Sequence, residues 1–355
     1  MRRALSGLAL VGALAAGCAS VRPESGGRGP PPSPGSEVAP SDPADRAAAY
    51  AAPGPFEVDT IDLELDDPPR TRTIPVRLRV PRPCDASVRR PLVLFSHGLG
   101  GSRSGGAAWG AHWAGHGFAV AHLQHPGSDE SLWRGRAFAL ETLRAGLTAA
   151  QYVARIDDVR VAAERLGALA ATRSGLACVD VTRIGMAGHS FGAATTLAIA
   201  GQWLPASEGR GPGPWAREPR VAAALALSPS VRDEARRTLA GVGVPVLVAT
   251  GSLDDDVVGN GATPETRRAV YEALPPQRRA LLWLDGADHF AFSGGESVPG
   301  RASVRRSDAE VHRVVRAVGV AFWRATLQDD APARAWLDGD GPRALLGPAD
   351  AWRPR

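Results

Sequence analysis

The pentapeptide Gly188-His189-Ser190-Phe191-Gly192 constrains this chain more than any other feature, because it lies between an apolar run, 184–187, and a helix-like stretch, 193–201. Glycine on both sides of a serine permits the sharp, strained turn that joins a strand to a helix and lifts the serine Oγ clear of the sheet. The helix that follows aims its amino terminus at negative charge developing there. A Gly-x-Ser-x-Gly run arises easily by chance in a chain with 41 glycines. A strand before it and a helix after it are what make Ser190 a candidate nucleophile.

The rest of the chain has the alternation such a turn needs. Segments 56–65 and 71–80 read as an opening antiparallel pair, and short apolar runs follow at 92–95, 118–122, 184–187, 221–227, 244–249 and 280–284. Between most of them lie stretches with helical periodicity. In 152–169, for example, Val153, Ile156, Val159, Val161, Ala162 and Leu166 can share one broad face. Continuous apolar strands alternating with helices predict an α/β chain whose central sheet is mostly parallel and covered by helices on both faces. A short helix at 231–239 and a Gly/Pro-rich excursion at 204–220 leave no large lid domain.

Two further segments carry chemistry. Phe95-Ser96-His97-Gly98-Leu99-Gly100-Gly101 follows directly on the run 92–95. Its small residues let backbone N–H groups approach a ligand, and the amides of Leu99 and Phe191 are the expected oxyanion hole. No G-x-x-x-x-G-K-[ST] or G-x-G-x-x-G pattern marks this loop as a phosphate cradle. Asp285-Gly286-Ala287-Asp288-His289-Phe290 follows the last apolar run, and His289 is the expected general base. Of the eight histidines, His97, His122 and His125 precede the serine, against the chain order Ser, Asp or Glu, His that accompanies this turn. His112, His116, His189 and His312 read as ordinary polar residues. The acid is expected after the run 244–249, where the Gly-x-x-Asp register selects Asp254, with Asp255 as the alternative. The neighbours Asp255 and Asp256 would face solvent or cap the next turn. This acidic run lacks the spaced oxygen ligands of a calcium loop, so neither metal nor organic cofactor is expected.

Together these segments resemble the platelet-activating-factor acetylhydrolase and dienelactone-hydrolase-like branch of the α/β-hydrolases, and also the bacterial cutinase and polyester-hydrolase branch. The resemblance runs from about Pro91 to Gly294. It is strongest at Pro91-Leu92-Val93-Leu94-Phe95-Ser96-His97-Gly98-Leu99-Gly100, at Gly115-His116-Gly117-Phe118-Ala119-Val120-Ala121 and at the serine turn. It implies the α/β-hydrolase fold and a serine hydrolase that cleaves small-molecule or polymeric carboxylic esters through an acyl-enzyme intermediate. Two departures refine it. Acetylhydrolases carry their acid after the strand that follows the nucleophile helix, and Ser228 stands there after Leu227, which leaves Asp254, as in the cutinase-like branch. Dienelactone hydrolases proper use Cys where this chain has Ser190, so their substrate is not carried over. In the implied fold, the strands ending at the His97 and Ser190 motifs lie side by side in parallel. Cys84 precedes His97 by 13 residues and Cys178 precedes Ser190 by 12. The two are therefore expected to meet at the bottom of the sheet as a disulfide, the alternative being two unpaired buried thiols.

At the amino terminus Arg2 and Arg3 precede an apolar stretch, 4–16, too short to span a bilayer as a helix of ~20 residues. It closes on Leu14-Ala15-Ala16-Gly17-Cys18, which resembles a bacterial lipobox with Cys18 as the lipid-attachment site, although Ala15 stands where Leu is commoner. The alternative is ordinary secretion. Residues 1–18 are thus expected to be a lipoprotein-type signal peptide. Residues 19–55, rich in Pro, Gly and Ser, would be a flexible tether, and 56–355 one catalytic domain. A lipid anchor would hold the protein in the bacterial cell envelope, with outer rather than inner membrane suggested by Ala19 in place of Asp. All 41 basic residues are Arg. They are scattered among acids and form no aromatic-interleaved stripe, so no nucleic-acid partner is expected despite the net charge of +4. The reading from another functional class is a lipid-tethered, non-catalytic binding protein on a hydrolase scaffold. Oligomeric state leaves no trace in the sequence.

Overall fold

Strands β1 (Val58–Asp67) and β2 (Arg72–Pro81) pair antiparallel along their whole lengths, from Val58↔Pro81 to Asp67↔Arg72. Successive side chains on a strand point to opposite faces, which sends Leu63 and Leu65 of β1 and Ile74, Val76, Leu78 and Val80 of β2 into the core. The computed structural model describes residues 42–135, 139–207, 209–230, 234–295 and 306–354. In it β3 (Arg90–Ser96), β4 (Ala119–Leu123), β5 (Val179–His189), β6 (Val221–Leu227), β7 (Val246–Leu253), β8 (Arg279–Asp288) and β9 (Ala351–Arg353) complete one nine-stranded sheet, ordered β1-β2-β4-β3-β5-β6-β7-β8-β9. Strands β3 to β8 run parallel, β2 meets β4 antiparallel, and β9 closes the far edge antiparallel to β8. This is the expected α/β architecture with a mostly parallel sheet.

Both faces of the sheet are covered, which is why its central strands are continuously apolar. Helices α1 (Pro43–Ala51), α2 (Ala107–Gly115), α8 (Asp308–Leu327) and α9 (Ala331–Asp338) pack on one face. There Val93, Phe95, Leu225 and Leu247 meet Trp109, Trp113, Val318 and Trp323. On the other face, Leu92 and Leu94 meet Ile156, Val159 and Leu166 of α4 (Ala149–Thr172). Ala224, Ala226, Val246 and Val248 meet α5 (Phe191–Ile199) and α7 (Pro264–Ala273) there. Two short helices, α3 (Ala139–Ala145) and α6 (Ala235–Leu239), lie in connections; α6 starts after Glu234, at φ 71°, and so is shorter than the helix expected at 231–239, whose first three residues lie outside the described ones.

Three elements differ from the sequence reading. The tether expected at 19–55 already contains α1, capped by Asp42, with Pro43 in its first turn and with Ala47 and Tyr50 buried. A small amphipathic face in an Ala-rich segment is easily read as linker, and the Tyr50 ring set edge-on against Trp336 is what fixes it. Helix α8, with a capping box formed by Ser307 and Glu310, and the three-residue β9 were not singled out. All described residues belong to one compact unit, Ala39–Arg355, and no helix among them is long and apolar enough to cross a membrane. The signal peptide and Cys18 lie outside the described residues.

Cys84 and Cys178 form a disulfide, with Cα atoms 4.7 Å apart. It ties the segment before β3 to the start of β5, where Arg90 N–H also donates to the Cys178 carbonyl at 2.8 Å. Closing a loop between residues 94 apart limits the unfolded chain, an effect typically worth about 2–4 kcal/mol.

Candidate active site

The turn from β5 to α5 places Ser190 at φ 55°, ψ −115°, a conformation that costs a non-glycine residue about 1–3 kcal/mol. The flanking glycines are sterically required. A Cβ on Gly188 would lie 2.3 Å from the Gly192 carbonyl oxygen, and one on Gly192 would lie 1.9 Å from that of Ser96. The strained turn is held by Ser190 N–H, which donates to the Leu227 carbonyl at 2.9 Å.

Two other strand ends converge on the Ser190 hydroxyl. His289 directly follows β8 and puts Nε2 3.0 Å from Ser190 Oγ. Asp254 directly follows β7 and puts Oδ1 2.8 Å from His289 Nδ1. Because the carboxylate can only accept, the imidazole carries its proton on Nδ1 and leaves the Nε2 lone pair facing the serine. Asp254 is wholly buried. Burial opposes its charge, but the hydrogen bond from His289 and the nearby Arg267 cation outweigh this and hold its pKa below the usual carboxylate value. Thr250 Oγ donates to Asp254 Oδ2 at 2.7 Å. Buried Arg267 reaches the same group, with Nε 2.9 Å from Oδ1 and a second contact to the Asp254 carbonyl. Asp255 is exposed, and Asp256 accepts the N–H groups of Val258, Gly259 and Gly261. His189 does not join this chain of groups. Its Nε2–H donates to the His289 carbonyl at 3.0 Å, and burial, its largest influence, keeps its pKa far below that of a free imidazole.

The loop after β3 abuts the serine, since a Cβ on Gly98 would sit 3.5 Å from Ser190 Cβ. Gly100 N–H donates to Ser128, and Gly101 N–H donates to Gly98. This leaves the amides of Leu99 and Phe191, among the described hydrogen bonds, without an acceptor. Beneath the loop lies a buried polar network. His97 Nε2 accepts the His125 N–H at 3.0 Å, and His97 Nδ1–H donates to the Gly98 carbonyl at 2.6 Å. His125 accepts from Ser96 Oγ at 2.9 Å through Nε2 and donates to Asp158 at 3.0 Å through Nδ1. Arg72 and Arg70 also bind Asp158. Burial opposes the Asp158 charge, yet hydrogen bonds from His125 and Arg72 bring its pKa to about 2. Arg155 is fully buried among these groups, and burial lowers its pKa to about 9, which leaves it protonated at neutral pH.

Arg155, Asp158, Thr250 and Arg267 escaped the sequence reading. The apolar face expected on α4 included Val153 and Val161, which are only half-buried, whereas Arg155 and Asp158 are buried beside Ile156 and Val159. Two charges three residues apart within an apolar helical stripe were the available signal. Arg267, on α7, offered none. His97, His122 and His125 are all buried and bond to groups other than Ser190, with His122 Nδ1–H donating to the Gly105 carbonyl at 2.8 Å.

Among the described residues, the large apolar side chains that stay exposed are Trp133 and Phe290, at 39% and 36%. Trp133 Nε1–H donates to the Gly100 carbonyl at 2.7 Å, and the Phe290 ring stands edge-on to His289. A cavity of about 970 Å³ opens beside Gly100 and Gly101, with Trp133, Arg103 and Glu130 in its wall. Ser190 and His289 do not line it.

Sheet, helices and serine turn together define the α/β-hydrolase architecture. Against protein-family models, residues 76–137 match platelet-activating factor acetylhydrolase, isoform II. The match runs from β2 through the loop at His97–Gly101 and stops before the serine turn. No curated protein matches the chain. Fold and family match support a serine ester hydrolase in general terms.

Proposed function

We propose that the protein is a serine carboxylic-ester hydrolase working through Ser190, His289 and Asp254. The observation that carries this reading is the continuous chain from Ser190 Oγ to His289 at 3.0 Å and from His289 to Asp254 at 2.8 Å, mounted on a strained turn. Ser190 Oγ attacks the ester carbonyl while His289 Nε2 takes its proton. The oxyanion accepts the Leu99 and Phe191 amides, and the imidazolium, stabilised by Asp254, protonates the leaving alcohol. Water then repeats the sequence on the acyl-enzyme. The exposed Trp133, against the loop after β3, and Phe290, against His289, favour esters whose flanking groups are apolar and accessible.

A fluorophosphonate probe tests this. Wild type should label on Ser190 and lose esterase activity in step, and Ser190→Ala should do neither. Folded protein that takes no label sinks the proposal and favours a binding protein on this scaffold.

The proposal extends to location. The run Leu14-Ala15-Ala16-Gly17-Cys18 and the Pro/Gly-rich segment after it support a lipid anchor in the bacterial envelope. Cys18→Ser should release the enzyme from membranes with unchanged turnover of a soluble ester. Wild type that fractionates as soluble and carries no lipid refutes it.

A further inference from the structure

We propose that Arg155 is a positioning residue that sets both halves of the oxyanion hole at once. This rests on the hydrolase reading above and goes beyond it, because Arg155 touches neither Ser190 nor His289.

The geometry begins with the peptide plane. The Gly98 carbonyl and the Leu99 N–H belong to one planar trans unit and point in opposite directions, so whatever holds the carbonyl aims the amide. Arg155 Nη2 donates to the Gly98 carbonyl at 3.3 Å, beside His97 Nδ1–H at 2.6 Å and Gly101 N–H at 3.1 Å, and Nη1 donates to the preceding His97 carbonyl at 2.7 Å, so that Arg155 is the donor that also fixes the neighbouring peptide. The guanidinium thus grips two successive carbonyls from below. Each donation also draws electron density toward the carbonyl oxygen and makes the amide on that unit a better donor. The same guanidinium lies 4.4 Å over the Phe191 ring, and Phe191 supplies the other N–H of the hole. Its Nε is fixed by Ser128 Oγ at 2.8 Å, so the fork cannot swing. One rigid, planar cation therefore joins the loop after β3 to the first residue of α5. A lysine in its place would keep the charge and lose the fork.

A positioning role predicts a defect in kcat rather than in KM, because the oxyanion exists in the transition state and not in the bound ester. Arg155→Lys and Arg155→Met should be counted for competent sites by end-point titration with the fluorophosphonate. They should then be assayed on a soluble ester and for affinity toward a boronic acid, whose tetrahedral serine adduct places an oxygen in the hole. Turnover per titrated site should fall about 30- to 300-fold, with Lys the milder change, and boronate affinity should fall in parallel while KM stays within about threefold. Ser128→Ala and Phe191→Leu each remove one contact of the guanidinium and keep the backbone amides. They should lose about three- to tenfold in kcat with the same pattern, and they carry the test if neither Arg155 variant folds. Turnover within threefold of wild type in folded Arg155 variants overturns the proposal, as does unchanged behaviour of Ser128→Ala and Phe191→Leu. So does a loss matched by a rise in KM with unaltered boronate affinity. Wild type that never labels at Ser190 is a different result, and it overturns the hydrolase reading itself.

Discussion

Asp254→Asn should lower kcat by at least about a hundredfold, while Asp255→Asn and Asp256→Asn stay within roughly tenfold of wild type. The Asp254 carboxylate is surrounded by donors: His289 Nδ1–H and Arg267 Nε at Oδ1, and Thr250 Oγ at Oδ2. An amide there must turn its NH₂ toward one of them. Facing His289, it would reverse the imidazole tautomer and take the lone pair away from Ser190. Facing Thr250, whose hydroxyl can rotate to accept, it would keep the tautomer but leave Arg267 uncompensated beside the imidazolium that forms in the reaction. Either arrangement raises the barrier. In a serine protease, a different protein, the corresponding change costs about 10⁴ in turnover. Asp255 is exposed, so losing its charge should matter little. Asp256 organises Val258, Gly259 and Gly261, so its Asn variant should lose stability before it loses turnover. Steady-state kinetics on the three variants decides. If Asp255→Asn collapses while Asp254→Asn matches wild type, the acid lies one residue along.

Stability should collapse in mild acid, between about pH 6.5 and pH 4. Burial is the largest influence on His97, His116, His122, His125 and His189, and it lowers the pKa of each. His116 and His125 fall to about 4 and His122 to about 3, while His97 and His189 lie well below 6.5. In the unfolded chain each titrates near 6.5. Above that pH neither state binds the proton and the full stability is present. Between 6.5 and the depressed values, only the unfolded state binds it, and each histidine costs about 1.4 kcal/mol per pH unit. Several acting together erode a typical total of about 5–15 kcal/mol within one or two units. The carboxylates of Asp158 and Asp254, held below their ordinary values, extend the loss to lower pH. Urea midpoints should be flat from pH 7 to 8.5 and fall steeply below 6. Equal midpoints at pH 5 and pH 7.5 would mean that these imidazoles are not held neutral in the fold.

Much of the site was legible because its groups are carried by local chemistry. A glycine pair around Ser190, an apolar strand before it and a helix after it dictate the turn whatever packs around them. The Gly-x-x-Asp register and the histidine after the last apolar run likewise sit at strand ends, where a parallel sheet gathers its loops on one side. The Cys84 and Cys178 pairing was readable for the same reason, since nearly equal distances, 13 and 12 residues, from two adjacent strand ends lead back to one level of the sheet.

What the sequence by itself determined was the strand–turn–helix succession and the positions of Ser190, Asp254 and His289 on it, since each depends on neighbours within a few residues. Tertiary structure alone decided the rest. Arg155 serves Gly98 across 57 residues, and His125 serves Asp158 across 33. Arg267 reaches back to Asp254 from α7, and α1 packs its Tyr50 against Trp336, 286 residues along the chain. A charge buried in an apolar stripe is worth its desolvation only if distant partners meet it, and nothing in the local pattern says whether they will.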